Sequence, residues 1–360
     1  MALRVTFVLP VFPRAPVGGF RVVYEHANRL TALGCQVTVV HERWREGWSR
    51  PLRHLREAAR DHRHRRAPHR AIDWLPVDPR VRLLIVPALT PAHLPPGDVV
   101  VATHWKTATL LPRLTSAHGA PVHLVQGYET WNVPDPAPVH QALRLPFPKI
   151  TVSTHLTRVL TDLGVHTGQI TTVPNGLDRS TYRPPPAGAP REGVAFLLSD
   201  SAAKDSRTAL AALHQVRAHH PALLARAFGV APRPRDLPPW IHYAQGLTGE
   251  DLAAQVYRPS AVFLCSSTTE GWGFPAAEAM ACGTAVVTTR NGGVEDFCHH
   301  NKNALLVEIG NPTAMANAIR QLLDDEPLRT RLSTAGLTTT ATMDWHQSTA
   351  NLLTVLKAIS

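Results

Sequence analysis

The stretch Thr268–Gly283, TTEGWGFPAAEAMACG, decides the fold of this chain. It follows Ala261–Cys265, a short apolar run with β-branched and aromatic side chains that is typical of a buried parallel strand. Pro275 suits the first turn of a helix, where its missing N–H group costs nothing, and Gly283 is a natural residue for the helix end. The stretch therefore predicts a strand, a glycine-containing loop and a helix that runs to about Cys282.

The loop and the helix start have the composition of an anion site flanked by two acids, Glu270 and Glu278. The N-terminus of a helix offers unpaired N–H groups and the positive end of the helix dipole, which favour a bound phosphate. A carboxylate repels a phosphate, so the glutamates are expected to accept hydrogen bonds from neutral hydroxyls, such as those of a ribose and a second sugar. The stretch thus predicts a sugar-nucleotide site, whose glycines let the backbone approach the ligand. The donor-binding residues predicted here are Gly271, Gly273, Phe274, Pro275 and Glu278.

Residues 270–283 resemble the signature of retaining glycosyltransferase family 4, Glu-Gly-Phe-Gly-x-Pro-x-x-Glu-Ala-x-Ala-x-Gly, with Trp272 in place of the usual Phe. The resemblance implies an α/β chain with the GT-B fold, in which two Rossmann-like, doubly wound parallel-sheet domains face a cleft. It also makes Glu270 a catalytic candidate at the donor sugar and places Glu278 at the donor ribose. The simpler alternative is a buried strand and helix whose glutamates only cap the helix or face solvent.

The composition is compatible with this interpretation. The chain has 360 residues, which exceeds the size at which one core usually divides, so two domains are expected. Apolar residues make up 44% of it, which supports full cores. It contains no run of about 18 apolar residues and its start has no signal-peptide pattern, so we expect a cytoplasmic protein. The four cysteines have no Cys-x-x-Cys spacing, which indicates free thiols rather than a zinc site or disulfides.

Positive charge is concentrated in the segment 41–70, which has ten Arg against four acidic residues in a chain of net charge +10. Its central part, Ser49–Arg66, has the pattern of a basic amphipathic helix. Two interpretations stay open. The segment is either a solvated insertion, or a contact with a phosphorylated acceptor or an anionic membrane surface, which would place the protein peripherally at the inner membrane face. Nucleic acid is not an expected partner, because no recognition motif accompanies the charge.

The N-terminal part has the order strand, glycine loop, helix, strand. Leu3–Leu9 predicts the first strand, Phe20–Leu33 a helix and Cys35–Val40 the second strand, as in a doubly wound parallel sheet. The loop ends in Gly18 and Gly19, a pair that differs from Gly-x-Gly-x-x-Gly and so argues against a nicotinamide dinucleotide. In the family that the chain resembles, this loop helps to hold donor phosphate or acceptor, so both glycines are donor-site candidates.

Two later strand ends carry polar residues, and ligands of open α/β sheets gather at such ends. His104 follows the predicted strand Asp98–Ala102, and its position matches that of a histidine in the family. The next strand ends in Gln-Gly-Tyr-Glu at 126–129, where many relatives have a histidine that touches the donor sugar. This departure is similar to a bacterial rhamnosyltransferase-like subset with a Gln-x-Tyr-Glu element. The resemblance makes His104 a catalytic candidate, and it makes Tyr128 and Glu129 acceptor-binding candidates.

A domain junction is predicted in the segment 183–193, because its four prolines and two glycines suit a surface linker. The predicted domains are residues 1–180, a Rossmann-like acceptor domain, and residues 181–342, a Rossmann-like domain for the nucleotide-sugar donor. The segment 343–358 has the pattern of an amphipathic helix. In the family such a helix crosses back onto the first domain; alternatively, it simply closes the second.

The donor diphosphate needs cations, and relatives supply an Arg and a Lys from a Gly-Arg-x-x-x-x-Lys stretch after the first strand of the second domain. Here the corresponding stretch is Leu198–Lys204, which keeps the lysine but lacks the arginine. Lys204 is therefore a catalytic candidate. Arg207 is a donor-binding candidate that replaces the missing arginine only if the helix start directs it inward.

Together these features predict transfer of a glycosyl unit from a nucleotide sugar to a hydroxyl of a glycan, lipid-linked or small-molecule acceptor, with retention as the family implies. The sugar passes through a cationic transition state, so the site must stabilise the departing diphosphate. No Asp-x-Asp motif is present, so neither a metal nor another cofactor is expected. Two alternatives stay open: a GT-B sugar-nucleotide epimerase and a non-catalytic sugar-nucleotide binding protein.

Overall fold

The computed structural model describes residues 2–13, 15–43, 72, 74–131 and 133–360. The predicted basic helix Ser49–Arg66 lies outside the described residues, and so does the segment 41–70 apart from its first three residues. Within the described ranges, no helix has both the length and the apolar character that crossing a membrane requires.

The first part of the chain forms a seven-stranded sheet. Its strand order is β3-β2-β1-β4-β5-β6-β7, and the paired strands run parallel. The strands are β1 (Arg4–Leu9), β2 (Gln36–Glu42), β3 (Arg82–Val86), β4 (Val99–Ala102), β5 (Ala120–Val125), β6 (Lys149–Thr151) and β7 (Ile170–Thr172). The central strands are almost fully buried apolar runs, as parallel strands covered on both faces must be.

The later part forms a six-stranded parallel sheet with the order β10-β9-β8-β11-β12-β13. The strands are β8 (Val194–Leu197), β9 (Ala225–Gly229), β10 (Ile241–Gln245), β11 (Val262–Cys265), β12 (Ala285–Thr289) and β13 (Leu305–Val307). The predicted α/β class with two doubly wound parallel sheets is confirmed.

Helices connect the strands, as parallel pairing requires. They are α1 (Gly18–Ala32), α2 (Trp105–Ala108), α3 (Ala137–Leu143), α4 (Thr154–Asp162), α5 (Ser206–His219), α6 (Gly249–Leu252), α7 (Phe274–Ala281), α8 (Pro312–Asp324), α9 (Glu326–Thr340) and α10 (Trp345–Ile359). One core of the six-stranded sheet combines apolar side chains of its strands with those of α5 and α8, including Phe196, Leu213 and Ile319, which are at most 1% exposed. This packing fixes the carboxyl ends of the strands, where the candidate site lies.

The predicted loop at Gly18 and Gly19 is wrong, because these two residues form the first turn of α1. Val17 is extended, with φ −136°, and its carbonyl accepts hydrogen bonds from the N–H groups of Phe20 at 3.1 Å and Arg21 at 3.0 Å. Neither glycine has a positive φ. The helix therefore begins two residues earlier than its apolar pattern indicated, because glycine carries no side chain to reveal the pattern.

By packing, the chain divides into two compact units. One holds the chain up to His123 together with Leu356–Ser360, and the other holds Leu124–Val355. The domain limits predicted from sequence, 1–180 and 181–342 with a returning helix at 343–358, stay a prediction.

Candidate functional site

The site is built where chain order switches in the six-stranded sheet. From β8 the order runs to β9 and β10 on one side, and to β11, β12 and β13 on the other. The loops after β8 and β11 therefore leave the carboxyl edge at the same place and diverge, which leaves a crevice suited to a ligand. Register confirms that the strand ends are adjacent, since Leu264 of β11 pairs with Phe196 of β8.

These two loops are joined by hydrogen bonds. The N–H of Thr268 donates to the carbonyl of Ala203 at 2.8 Å, and the Ser266 hydroxyl donates to the carbonyl of Lys204 at 2.9 Å. Asp205 adopts a left-handed conformation, with φ +42°, and its side chain accepts from the N–H of Thr208 at 3.2 Å, which caps α5. The loop after β8 is thus held at both ends, and Lys204 projects from a fixed backbone.

Lys204 and Glu270 form an ion pair at this crevice. The Lys204 ammonium donates to Oε1 of Glu270 at 2.6 Å, and the Ser267 hydroxyl donates to the same oxygen at 2.7 Å. The side chains of Lys204 and Glu270 are 26% and 10% exposed. Burial lowers the pKa of Lys204, but the adjacent Glu270 carboxylate more than offsets this, so the pKa lies above its ordinary value. The sequence predicted both residues but neither their direct pairing nor Ser267.

The helix that follows begins beside this pair. A small cavity is lined by Lys204, Glu270 and Pro275, and Pro275 occupies the second position of α7. The first helical bond runs from the N–H of Ala277 to the carbonyl of Gly273 at 3.2 Å, so the N–H groups ahead of Ala277 have no carbonyl partner within the helix. The helix N-terminus expected from the sequence is therefore placed next to the lysine, as a phosphate site requires.

The tryptophan that replaces the usual phenylalanine is an interior residue. Trp272 is 5% exposed, and its ring lies 4.9 Å from that of Phe274 and 5.3 Å from that of Phe297. Trp272 thus packs within an aromatic cluster that supports the loop, and Phe274 belongs to the same cluster through its ring.

Glu278, the second acid of the motif, lies in the second turn of α7 and is only 4% exposed. Its Oε2 accepts a hydrogen bond from the hydroxyl of Tyr257 at 2.9 Å. Tyr257 was missed in the sequence, because it lies 21 residues before Glu278 and looks like an ordinary core aromatic. Glu278 does not line the small cavity that Lys204, Glu270 and Pro275 line.

Gly271 abuts the backbone that follows β5. A Cβ atom at Gly271 would lie 1.9 Å from the carbonyl oxygen of Gln126 and 3.2 Å from the Cα atom of Gly127. The acceptor candidates Tyr128 and Glu129 come directly after this contact. The Tyr128 hydroxyl lies 2.6 Å from Nε2 of His140, and the two rings are stacked within 4° of parallel. The structure therefore places these candidates on the chain that meets the Glu270 loop.

The remaining candidates lie on other elements. Gly18, Gly19 and His104 belong to the compact unit that ends at His123. His104 caps α2, with Nδ1 accepting from the N–H of Lys106 at 3.1 Å, and burial lowers its pKa to about 4, so the ring is neutral at pH 7. Arg207 lies at the second position of α5 and is exposed, and its donor-binding role stays a prediction.

Comparison with known proteins finds similarity to glycosyltransferases in the later part of the chain. Residues 237–338 match the family described as Glycosyl transferases group 1. Over 132 residues the chain is 33% identical to a D-inositol 3-phosphate glycosyltransferase of Salinispora tropica, an alignment that covers 37% of this chain and 26% of that protein. The chain thus matches about a quarter of the length of this curated relative.

Solved structures match over the whole chain, at identities that establish the fold alone. Sucrose-phosphate synthase from Thermosynechococcus elongatus has a TM-score of 0.74 at 18% identity, covering 99% of this chain and 98% of that one. Anabaena HepE, solved in complex with UDP-glucose, has a TM-score of 0.72 at 16% identity, covering 99% and 100%. The resemblance to glycosyltransferases is confirmed, whereas assignment to family 4 stays a prediction. The chain has the GT-B fold, and its residues 237–338 match the family Glycosyl transferases group 1.

Proposed function

We propose that this protein transfers a glycosyl unit from a nucleoside-diphosphate sugar to an acceptor hydroxyl, with retention and without a metal. One observation carries the proposal: Lys204 and Glu270, predicted separately, meet at 2.6 Å where chain order switches, beside the N-terminus of α7. The comparisons support the same class, since HepE was solved with UDP-glucose and the Salinispora relative is named as a glycosyltransferase.

The diphosphate would lie against Lys204 and the amide groups at the start of α7. At the position where relatives have an arginine, Ser199 instead accepts a hydrogen bond from the N–H of Ser201 at 3.2 Å. Lys204 is therefore the cation proposed to neutralise the leaving group, and it must shift its hydrogen bond from Glu270 toward phosphate oxygen. The helix amides add fixed positive partial charge without any reorganisation.

The sugar would lie against Glu270 and the ribose against Glu278. In the transfer, the bond between C1 of the sugar and the diphosphate oxygen breaks, and a bond from C1 to the acceptor oxygen forms. The acceptor proton passes to the departing diphosphate. Because C1 becomes cationic on the way, the main task of the site is to stabilise the diphosphate, which a water-poor crevice makes easier.

The other assignments follow the resemblance. His104 is proposed as a catalytic residue, Gly18 and Gly19 to act at the donor phosphate or the acceptor, and Tyr128 and Glu129 at the acceptor. In the described part of the chain, no group of three or more His, Cys, Asp or Glu side chains is arranged to hold a metal ion. Independence from metal, a cytoplasmic location and membrane contact through the segment 41–70 stay predictions.

Two measurements test the proposal. In a thermal-shift panel of UDP, GDP, dTDP and ADP sugars, at least one donor should raise the melting temperature, because a ligand that binds only the native state stabilises it by about 2.7 kcal/mol at 100 times its Kd. With that donor, Glu270→Gln should lower transfer by about 100-fold or more while the protein stays folded. Glu250→Gln, which removes one carboxylate of a surface ion pair with Arg258, is the control and should transfer normally.

Turnover of the donor in the absence of any acceptor, with a changed sugar as product, would indicate an epimerase. Full transfer by Glu270→Gln would refute the proposed role of the acid.

A further inference from the structure

Tyr257 ends an unusual helical turn. After α6 the chain makes a π-helical turn, Ala253–Tyr257, in which the N–H of Arg258 donates to the carbonyl of Ala253, five residues back, at 2.9 Å. Such turns are rare, and they occur frequently at functional sites because they redirect a side chain that a regular helix would aim elsewhere. Tyr257 is the last residue of this turn.

The Tyr257 ring is held on several sides. Its ring centroid lies 5.6 Å from those of Phe228 and Phe263, both edge-on, and 6.2 Å from that of Tyr182. The side chain is fully buried. The Tyr257 carbonyl accepts from the hydroxyl of Thr284 at 2.8 Å, so the backbone is fixed as well. These contacts leave the hydroxyl oxygen in one place.

That hydroxyl meets a carboxylate. It lies 2.9 Å from Oε2 of Glu278, which is 4% exposed. Burial raises the pKa of Tyr257 well above its ordinary value, and the Glu278 charge raises it further, so the hydroxyl keeps its proton and donates. A phenylalanine would make the same ring contacts, so ring packing does not account for the hydroxyl.

We propose that Tyr257 is a positioning residue for nucleotide recognition, whose hydroxyl fixes the Glu278 carboxylate so that it can accept hydrogen bonds from the ribose hydroxyls. The proposal rests on the proposed function and adds a residue to it. The final torsion of a glutamate side chain is broad, so an unheld carboxylate samples many orientations. A donor on one oxygen limits this freedom before the ligand arrives, and a carboxylate has about four acceptor sites, of which the bond from Tyr257 occupies one.

The structure also separates this effect from diphosphate binding. Lys204 ends the short turn Ala202–Lys204 after β8 and Glu270 lies in the loop after β11, whereas Glu278 lies in the second turn of α7 and Tyr257 in the turn before β11. Loss of the Tyr257 hydroxyl should therefore weaken ribose recognition specifically. A purely structural role would instead weaken binding of every nucleotide to the same extent.

The test compares ribose with a sugar that lacks both hydroxyls. The Kd values of UDP, GDP and ADP are measured by calorimetry beside those of their 2′,3′-dideoxy counterparts, for the full chain and its variants. For the base that binds, the full chain should prefer the ribose form by about 10- to 100-fold, the range expected for hydrogen bonds to a charged group. Tyr257→Phe should reduce this preference to below about threefold while changing the Kd of the dideoxy form little.

Controls make each outcome decisive. Tyr24→Phe also removes a fully buried hydroxyl, one that lies 3.2 Å from Nε2 of His41, and it should keep the preference. Thr284→Val is a second variant, for use if Tyr257→Phe does not fold, and it should reduce the preference because it frees the Tyr257 backbone.

An equal loss of affinity for both forms in Tyr257→Phe would overturn the positioning role. Equal binding of both forms by the unchanged chain would overturn it too, because no ribose contact would exist to position. If none of the nucleotides binds, the proposed function itself is refuted.

Discussion

Replacing Lys204 by Met should destabilise the protein markedly, because it leaves the Glu270 carboxylate buried without a counter-charge. At the observed 2.6 Å, the attraction of two unit charges is about 6 kcal/mol with an effective dielectric constant of 20. The cost of removing both groups from water offsets much of this attraction, and breaking such a buried pair typically lowers the free energy of unfolding by about 3–5 kcal/mol. Because Lys204 is 26% exposed, we expect the lower end, about 3 kcal/mol.

Replacing Glu270 by Gln should lower the free energy of unfolding by a smaller amount. In Glu270→Gln the remaining ammonium reaches water, and the Ser267 hydroxyl keeps an acceptor, so we expect a loss of about 1.5 kcal/mol. In the double variant neither charge is stranded, and the loss should be about 2.5 kcal/mol rather than the sum of the two. The coupling energy of the pair is then about 2 kcal/mol.

The assay is a double-mutant cycle on the urea unfolding of the four proteins, followed by tryptophan fluorescence, since Trp272 lies within the adjacent loop. The pair Arg258–Glu250 is the matched control. Its closest atoms are 2.5 Å apart, but the Glu250 side chain is 53% exposed, so its coupling should stay below about 1 kcal/mol. If the Lys204 and Glu270 changes add to within about 0.5 kcal/mol, the pair is not coupled and the reasoning fails.

Three further changes probe other parts of the molecule. Gly271→Ala should cost more than about 3 kcal/mol in unfolding free energy, because its Cβ would lie 1.9 Å from a backbone carbonyl oxygen, whereas Gly310→Ala, strained only by a φ of +70° with open space around it, should cost about 1 kcal/mol. Burial lowers the pKa of His41 to about 4, so its contribution to stability is complete above its unfolded pKa of about 6.5 and is lost as the pH falls toward 4. When the pH falls from 7 to 4.5, the free energy of unfolding of His41→Asn should therefore decrease by about 2 kcal/mol less than that of the unchanged chain, as measured by urea unfolding at each pH. Burial lowers the pKa of Lys149 to about 8, so the folded state binds fewer protons than the unfolded state above that pH, and stability should rise by about 2 kcal/mol between pH 8 and 10 in the unchanged chain but not in Lys149→Met. A free energy of unfolding of the unchanged chain that stays constant in either pH range would contradict these expectations. Equal losses of unfolding free energy for the two glycine changes would contradict them as well.

The strands that the sequence identified share a local signal. Ala261–Cys265 was predicted and Val262–Cys265 is observed as β11; Leu3–Leu9 was predicted and Arg4–Leu9 is observed as β1. Continuous apolar runs bounded by polar residues are recorded in a few neighbouring positions, so no tertiary information is needed to find them. The start of the helix after β11 is also a local signal, because Pro275 favours the first turn of a helix.

Two long helices, α8 and α9, went unpredicted although their signals are equally local. Asn311 caps α8 by accepting from the N–H of Ala314 at 2.9 Å, and Asp325 caps α9 by accepting from the N–H of Leu328 at 2.8 Å. Each cap is followed by a proline in the first turn. These starts were readable from sequence, in contrast to the hydrogen bond between Tyr257 and Glu278, for which no local pattern exists.

The glycines of the central motif illustrate why local features can be predicted from sequence and long-range contacts cannot. From sequence, Gly271 and Gly273 are permissive positions at which backbone approaches a ligand. In the structure the space beside Gly271 is filled by the Gln126 carbonyl, and Gly273 has φ +106° with Val294 2.5 Å from where a Cβ would be. Both glycines are therefore required by the folded protein before any ligand is considered. A glycine reports that something is close, but only the three-dimensional neighbours reveal whether it is a substrate or another stretch of the same chain, so the donor-binding role of these two positions has to be tested by ligand affinity rather than inferred from their identity.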